Sequence, residues 1–488
     1  MQYFRYPCGF LAIIVVFFLQ VGKDFAFLTP LPRFPYLGPM VVLKFGGTSV
    51  QDGTSIAQAL DIVAGSLSGG LLLVASAMAG ITNNLVSLVK ALQNGEEPLA
   101  RDLLQSIAKR HFIVLEAVAR GANLDAGRKQ LDLHLSDMEA LVKGSLLLKD
   151  CSPRVQDALL GAGELLSTTI LWAAALERGW ETQLFDARAF IKTDENFGEA
   201  AVLWPETFHA VQGKLTCPRR SVSIIQGFIG STLAGVSTVL GRGGSDYSAA
   251  LFGAALGASE IQIWTDVDGI MTTDPRKVSD ARSIPFITYA EAAELAFFGA
   301  KVVHPATIQP AVERRIPVLV KNTKNPSHAG TKISMEAPGS GLRAIAGRAG
   351  VTVVTVSSSR MLNAYGFLRR IFDIFDRQRL SVDLVATSEV SVSITVEEKR
   401  DLRPLVRELE ELGTVKVEED CAIVCLVGQD VWKDNSRISR VFQAIPEVPV
   451  RLISLGSSDI NLSFVVSSSD LDRSVSAIHR VFFDPKEN

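Results

Sequence analysis

The sequence predicts an α/β protein with a largely parallel sheet, followed by a smaller α+β region. Three observations carry that expectation. From Met40 onward, short β-rich runs alternate with helical segments. The strands end in turns of small residues, as in Gly46-Gly-Thr-Ser49. Beyond about residue 335 the pattern changes to apolar–polar alternation, as in Val390-Ser-Val-Ser-Ile-Thr-Val396.

In chain order, Val41-Val-Leu-Lys-Phe45 reads as a buried strand, and a helix is expected from about Thr54. Leu71-Leu-Leu-Val-Ala75 is a second strand, leading to a helix near Thr82. Residues 95–150 carry mixed charges at helical spacing and read as a solvated helical excursion; a long apolar helix then spans 154–178. Further strands are expected at 183–186, 221–226, 260–265 and 316–320. Ala337-Pro-Gly-Ser-Gly341 punctuates the chain as a linker. After it come a strand at 351–356, a helix at 366–379 and the alternating strand at 390–396. The theme returns with a strand at 421–427, a helix at 436–444 and strands at 450–455 and 461–466, which points to an internal duplication.

Composition narrows the class. The chain has 488 residues, 49 Lys+Arg against 52 Asp+Glu and a net charge of −3, which excludes a broadly basic nucleic-acid binder. A charged fraction of 21% is too ordinary for a disordered chain. Mean hydropathy is +0.24, and part of that excess lies in the first 39 residues. There Arg5 precedes an uncharged run from 9 to 22. Its apolar centre of about ten residues is short of a membrane span and suits a signal-type h-region. No later segment reads as a span. Without this leader the body is more acidic, at about −5. Five scattered cysteines (Cys8, Cys151, Cys217, Cys421, Cys425) show no metal spacing and are expected to be reduced; Cys421 and Cys425 share one strand face.

Two glycine-rich turns carry the chemistry. In Lys44-Phe-Gly-Gly-Thr-Ser49 the glycines let backbone N–H groups converge on an anion, with Lys44 as a point charge; no Walker loop occurs. Gly241-Arg-Gly-Gly-Ser-Asp-Tyr247 opens a helix and offers amides for phosphate, a guanidinium for a carboxylate, and an acid to orient a lysine or a metal ion. At Trp264-Thr-Asp266 a strand end delivers polar groups to the edge where open α/β sheets form ligand crevices.

These motifs join Ala79-Gly-Ile-Thr-Asn83, Gly163-Glu164, Gln226-Gly-Phe-Ile-Gly230, Thr273-Asp-Pro-Arg276 and Phe298-Gly-Ala-Lys-Val-Val-His-Pro305. In order and spacing the set resembles the aspartate kinases of the amino acid kinase family, from Met40 to the C-terminus. The resemblance implies an open α/β/α sandwich over 40–335, a linker at 336–349, and two ferredoxin-like ACT domains at 350–400 and 401–488. Such units can interleave, the second taking its opening segment from before Val351. The implied reaction is ATP-dependent phosphorylation of the β-carboxylate of L-aspartate, with Mg²⁺ carried on ATP. A carboxylate with a reference pKa of about 3.9 is already ionised, so catalysis reduces to charge neutralisation and in-line positioning.

By the same resemblance Lys44, Asp246 and Lys301 are catalytic, and Ser76, Thr82, Glu164 and Arg242 hold aspartate. Lys44, Gly46, Gly47, Thr265, Asp266, Met271, Arg276 and Lys301 would bind ATP. Met361-Leu-Asn-Ala-Tyr-Gly-Phe-Leu368 and Ser381-Val-Asp-Leu-Val-Ala-Thr-Ser-Glu-Val390 resemble the lysine-sensitive branch. They imply an L-lysine site formed by Met361, Phe367, Leu368, Val382, Asp383 and Ser388. Three positions depart from the family: Gly161 and Ala364 stand where Ser is usual, and Met271 where Tyr is common. ACT pairing across subunits implies a homodimer or homotetramer, with no nucleic-acid partner and no stable membrane association once the leader is removed. Asp24-Phe-Ala-Phe-Leu-Thr-Pro30 resembles the junction of bipartite plastid leaders, giving a plastid address; the competing reading is a cytoplasmic protein starting at Met40.

Overall fold

The computed structural model describes residues 40–299, 304–362, 365–397, 401–456 and 458–484. The expectations placed on residues 1–39, Lys301 and Ala364 lie outside the described residues.

The chain opens with β1 (Met40–Phe45), α1 (Gly53–Ala64), β2 (Gly70–Ala75) and α2 (Ile81–Gln93). Asp52 caps α1 by accepting the Ser55 N–H at 2.8 Å. Three long helices follow: α3 (Glu97–Val118), α4 (Gly121–Leu148) and α5 (Pro153–Glu177), the last with proline in its first turn. Next come β3 (Glu181–Leu184), β4 (Lys192–Thr193), α6 (Trp204–Lys214), β5 (Ser221–Gln226), β6 (Ile229–Thr232), β7 (Ser237–Val239) and α7 (Gly244–Leu256). The lobe closes with β8 (Glu260–Thr265), β9 (Phe286–Thr288), α8 (Tyr289–Phe297), α9 (Pro305–Glu313), β10 (Val318–Asn322) and β11 (Thr331–Ser334).

Eight of these strands form one sheet in the order β3-β5-β2-β1-β8-β10-β11-β9. All neighbours run parallel except the β10–β11 pair. Both faces are covered, as parallel sheets require. Val42 and Val74 point into a core shared with Phe252 of α7, whereas Leu43, Phe45 and Leu73 point into one shared with Ile170 of α5. This is the α/β/α sandwich. Although α5 is long and apolar enough to cross a membrane, its apolar window is 83% buried against the sheet. The chain winds from β1 to β2 on one side and returns through β8 on the other, so the carboxyl ends of β1 and β8 flank a topological switch point.

The second half comprises β12 (Gly341–Ser357), α10 (Phe367–Arg377), β13 (Val385–Thr387), β14 (Ser391–Glu397), α11 (Arg403–Glu410), β15 (Thr414–Gln429), α12 (Asn435–Gln443), β16 (Leu452–Leu455), β17 (Asn461–Ser467) and α13 (Leu471–Phe483). Its sheet order is β13-β14-β12-β15-β17-β16. The long strands β12 and β15 each serve two βαββαβ units, and their ladder shifts register between Ala349 and Val353. Residues 351–418 build the first unit. The second runs from Cys421 and takes residues 341–349 as the strand beside its own first strand. Two linear boundaries are therefore corrected. The 336–349 segment is a linker only as far as Ser340, and the first unit does not stop at residue 400 but continues through α11 into β15. Cys421 and Cys425 are buried on β15 and form no disulfide among the described residues.

Candidate active site

At the switch point the turn after β1 is laced to the turn after β2. Ser76 N–H donates to Phe45 O at 3.2 Å and Ala79 N–H to Gly47 O at 3.0 Å. A Cβ on Gly47 would stand 2.8 Å from Ala77 O, so only glycine permits this approach. Lys44, at the end of β1, is buried and its ammonium meets Asp246 Oδ1 at 2.6 Å. Asp246 lies in the first turn of α7, and Gly243 before that helix has φ +73 with no room for a Cβ against Thr307. The positive end of α7 thus faces the Lys44–Asp246 pair.

Glu164 projects from α5 into the same space and is only 4% exposed. One of its carboxylate oxygens accepts the Ala77 N–H at 3.0 Å; the other is buried without a hydrogen-bond partner. Burial pushes this carboxyl up to about 8, against the opposing pull of the Ala77 N–H and the Lys44 charge. Ser167, one turn on, donates to Ser76 O at 2.7 Å and fixes α5 to the β2 turn. The result is a cavity of about 450 Å³. It is lined by Lys44, Ser76, Thr82, Glu164, Arg242 and Asp246, every described residue expected to serve aspartate or the transfer step. Arg242 is exposed at its rim and forms no ion pair among the described residues. The wall also contains Phe228, which the sequence reading missed. It adopts φ +70, its N–H donates to Ser248 Oγ at 3.0 Å, and a Cβ on Gly244 would press on its ring. A left-handed phenylalanine has no signal of its own, and although Phe228 lies within the Gln226–Gly230 motif, the motif alone gave it no role.

The nucleotide expectations divide. Asp266, Met271 and Arg276 line a second cavity of about 470 Å³, closed on its far side by Ile345, Ala346 and Gly347 of β12. Thr265 instead lines a small recess with Thr48, Asp266 and Thr323, and Lys44 belongs to the first cavity. Neither Gly46 nor Gly47 lines the second cavity; Gly46 N–H donates to Trp264 O at 3.0 Å and ties β1 to β8. Arg276 is engaged with Asp274 at 2.8 Å, and its guanidinium holds that carboxyl below the usual range.

A model of the amino acid kinase family matches residues 39–322, and an ACT domain model matches residues 424–482. The chain belongs to the amino acid kinase family. It is 40% identical over 463 residues to the lysine-sensitive aspartokinase 3 of Escherichia coli, covering 92% of this chain and all of that protein. It is 35% identical to the chloroplastic aspartokinase 2 of Arabidopsis thaliana, over 91% of this chain and 84% of that protein. Among solved structures, Escherichia coli aspartokinase III with aspartate and ADP (R-state) superposes with a TM-score of 0.77 at 39% identity, over 91% of this chain and all of that one. The same enzyme with lysine and aspartate (T-state) gives 0.74.

Two departures from the family pattern find a physical counterpart. A Cβ at Gly161 would lie 2.7 Å from Ile229 Cγ2, so Ile229 occupies the space a serine would need. Met271 lines the second cavity, where a flexible thioether packs in place of a ring.

The expected effector residues separate into two groups. Ser358 N–H donates to Val390 O at 2.8 Å, which sets the Met361 turn beside Ser388, and the Ser388 hydroxyl is already bound to Ser391 at 2.7 Å. Phe367 is buried and Leu368 exposed at the start of α10. Val382 and Asp383 lie at the other end of β13, where Asp383 N–H donates to Thr395 O at 3.1 Å. Five extended residues separate Ser388 from Asp383 by roughly 16 Å. The Asp383 carboxylate meets Arg348 at 3.3 Å; Arg348 also reaches Glu397 at 3.1 Å and stacks on Phe297 at 5.3 Å. Burial pushes the Asp383 carboxyl up, and Arg348 opposes this.

Proposed function

We propose that the chain is a lysine-regulated aspartate kinase that phosphorylates the β-carboxylate of L-aspartate from ATP to give 4-phospho-L-aspartate. The observation that carries this reading is the charge order of the first cavity. A rim guanidinium on Arg242 suits an α-carboxylate, the unpartnered oxygen of Glu164 suits an α-ammonium, and Lys44 stands beside the place left for the second carboxylate. Lys44 would neutralise the phosphoryl oxygens as nucleophile and nucleotide approach. Asp246 holds that ammonium in place, so Lys44 is preorganised rather than ordered at the moment of transfer. Ser76 and Thr82 bind from the opposite wall. Mg²⁺ is taken to arrive on the ATP phosphates and to add charge neutralisation there. Asp266 and Met271 line the cavity assigned to the nucleotide, with Thr265 at its approach.

The decisive test is a hydroxylamine-trapping assay with ATP, Mg²⁺ and L-aspartate. Aspartyl hydroxamate should form, and Lys44→Ala should lower turnover by roughly 10³-fold. Soluble, ATP-binding protein that forms no hydroxamate would overturn the reading. Regulation is tested separately with lysine, threonine and S-adenosylmethionine; inhibition by threonine alone would reassign the effector.

The split effector residues support assembly of two copies, in which the Met361–Ser388 end of one chain meets the Asp383 end of another. Sedimentation should give a dimer or tetramer. The leader supports a plastid address, in keeping with chloroplastic relatives. Residues 1–39 fused to a reporter should carry it into plastids, whereas cytoplasmic reporter would favour Met40 as the start.

A further inference from the structure

We propose that Asp157 is a positioning residue for the amino-acid cavity, holding two separate stretches of its outer wall from behind. Asp157 lies two turns upstream of Glu164 on α5, on the same helix face, and is 2% exposed. Its Oδ2 accepts the backbone N–H of Gly198 at 3.1 Å and that of Val239 at 3.0 Å. Both Gly198 and Val239 line the cavity, and Asp157 does not. No cation pairs with it among the described residues.

The two amides belong to chain segments that continue directly into the substrate wall. Val239 O accepts the Ala200 N–H at 3.0 Å, and Leu240 N–H donates to Phe228 O at 2.9 Å. Gly241 follows and opens the Arg242 turn, packed so closely on Glu199 that a Cβ there would touch its side chain at 2.9 Å. One buried carboxylate oxygen therefore ties the 194–201 loop and β7 to the helix that carries Glu164. Arg242 and Glu164 are the two ends of the proposed zwitterion clamp, and their separation is transmitted through this bond. A buried acid without a counter-ion is a costly choice for a helix position that needs only packing. Its two amide partners would be orphaned without it.

This inference rests on the reading of the first cavity as the aspartate site. The second cavity is lined by none of these segments. The test uses the full chain, with steady-state kinetics in both substrates and thermal melting as a check of folding. Asp157→Ala should raise the KM for aspartate by about tenfold to a hundredfold, with the KM for ATP unchanged within about twofold and kcat close to wild type. Asp157→Asn should restore the aspartate KM, because its amide oxygen can accept both N–H groups. Asp157→Glu should not restore it, because the added methylene pushes the wall outward. If Asp157→Ala does not fold, the contrast between the Asn and Glu variants decides. An unchanged aspartate KM in folded Ala or Glu variants, or an equal rise for both substrates, overturns the inference. A wild-type chain without kinase activity overturns the underlying reading instead.

Discussion

Glu164 sets the sharpest expectation at a single side chain. With its carboxyl pushed up to about 8 by burial, it is largely protonated at pH 7 in the empty cavity. An ammonium-bearing substrate binds the ionised form, so the KM for aspartate should fall as pH rises from about 6 to 8 and then level. In Glu164→Gln that limb should vanish, with KM raised throughout; a pH–KM series in both proteins checks it. Gly161 gives a stability counterpart. Gly161→Ser would force its Cβ onto Ile229 Cγ2 and should cost about 1–3 kcal/mol in urea denaturation, and that cost should shrink in an Ile229→Ala background, which removes Cγ2. Of the residues proposed to meet substrate, Lys44, Arg242 and Asp246 were legible because they are charges at a strand end or a helix start, whereas Glu164, midway along α5, was legible only through the Gly163-Glu164 motif. Asp157 was not legible. A lone acid near the start of a long apolar helix looks solvated, and the amides it serves come from residues 41 and 82 positions away.

At the level of elements, long periodic segments could be read and pairing partners could not. The strands at β1, β2, β5 and β8 and the helix α5 stand within a residue or so of their expected places, because buried parallel strands read as apolar runs. The short strands β4, β6 and β7 carry too few residues to show a period. The 336–349 segment misled because Pro338, Gly339 and Gly341 mark a break, while Gly347 and Gly350 dilute the strand pattern that follows. Membership of a sheet is decided by non-local pairing, and β12 lends its first half to a unit whose own chain starts about seventy residues later. That exchange predicts how fragments behave. A fragment of residues 340–484 should be soluble and melt cooperatively. One starting at residue 350 leaves the buried stretch from Ala422 to Val427 as an open sheet edge and should aggregate. Light scattering and thermal melting of the two fragments distinguish these outcomes.

Across the whole molecule, the catalytic and regulatory halves meet through polar contacts at the 266–277 loop and through Arg348. Thr272 Oγ1 lies 2.9 Å from His479 Nε2, Lys277 pairs with Asp472 at 2.6 Å, and Ile345 N–H donates to Thr272 O at 2.7 Å. The loop that lines the second cavity is therefore held by β12 and α13 of the regulatory half. Arg348 links the other end. It neutralises Asp383, the proposed partner of the effector ammonium, while its guanidinium lies on Phe297 at the end of α8. A lysine ammonium that takes Asp383 must displace Arg348, which then loses both its counter-ion and the geometry of its stack on the catalytic lobe. Effector affinity and effector response are thereby separable, since inhibition depends on the difference in binding between two states and not on affinity itself. In Arg348→Ala the ammonium meets no competing cation, so calorimetry should show lysine binding as tight as in wild type or tighter. The link to Phe297 is absent, so the lysine concentration for half-inhibition should rise by about tenfold or more. Phe297→Ala should reproduce the lost inhibition without the gain in affinity. If Arg348→Ala is inhibited at the wild-type lysine concentration, the coupling runs elsewhere, through contacts such as Thr272–His479, Lys277–Asp472 and Asn461–Glu294.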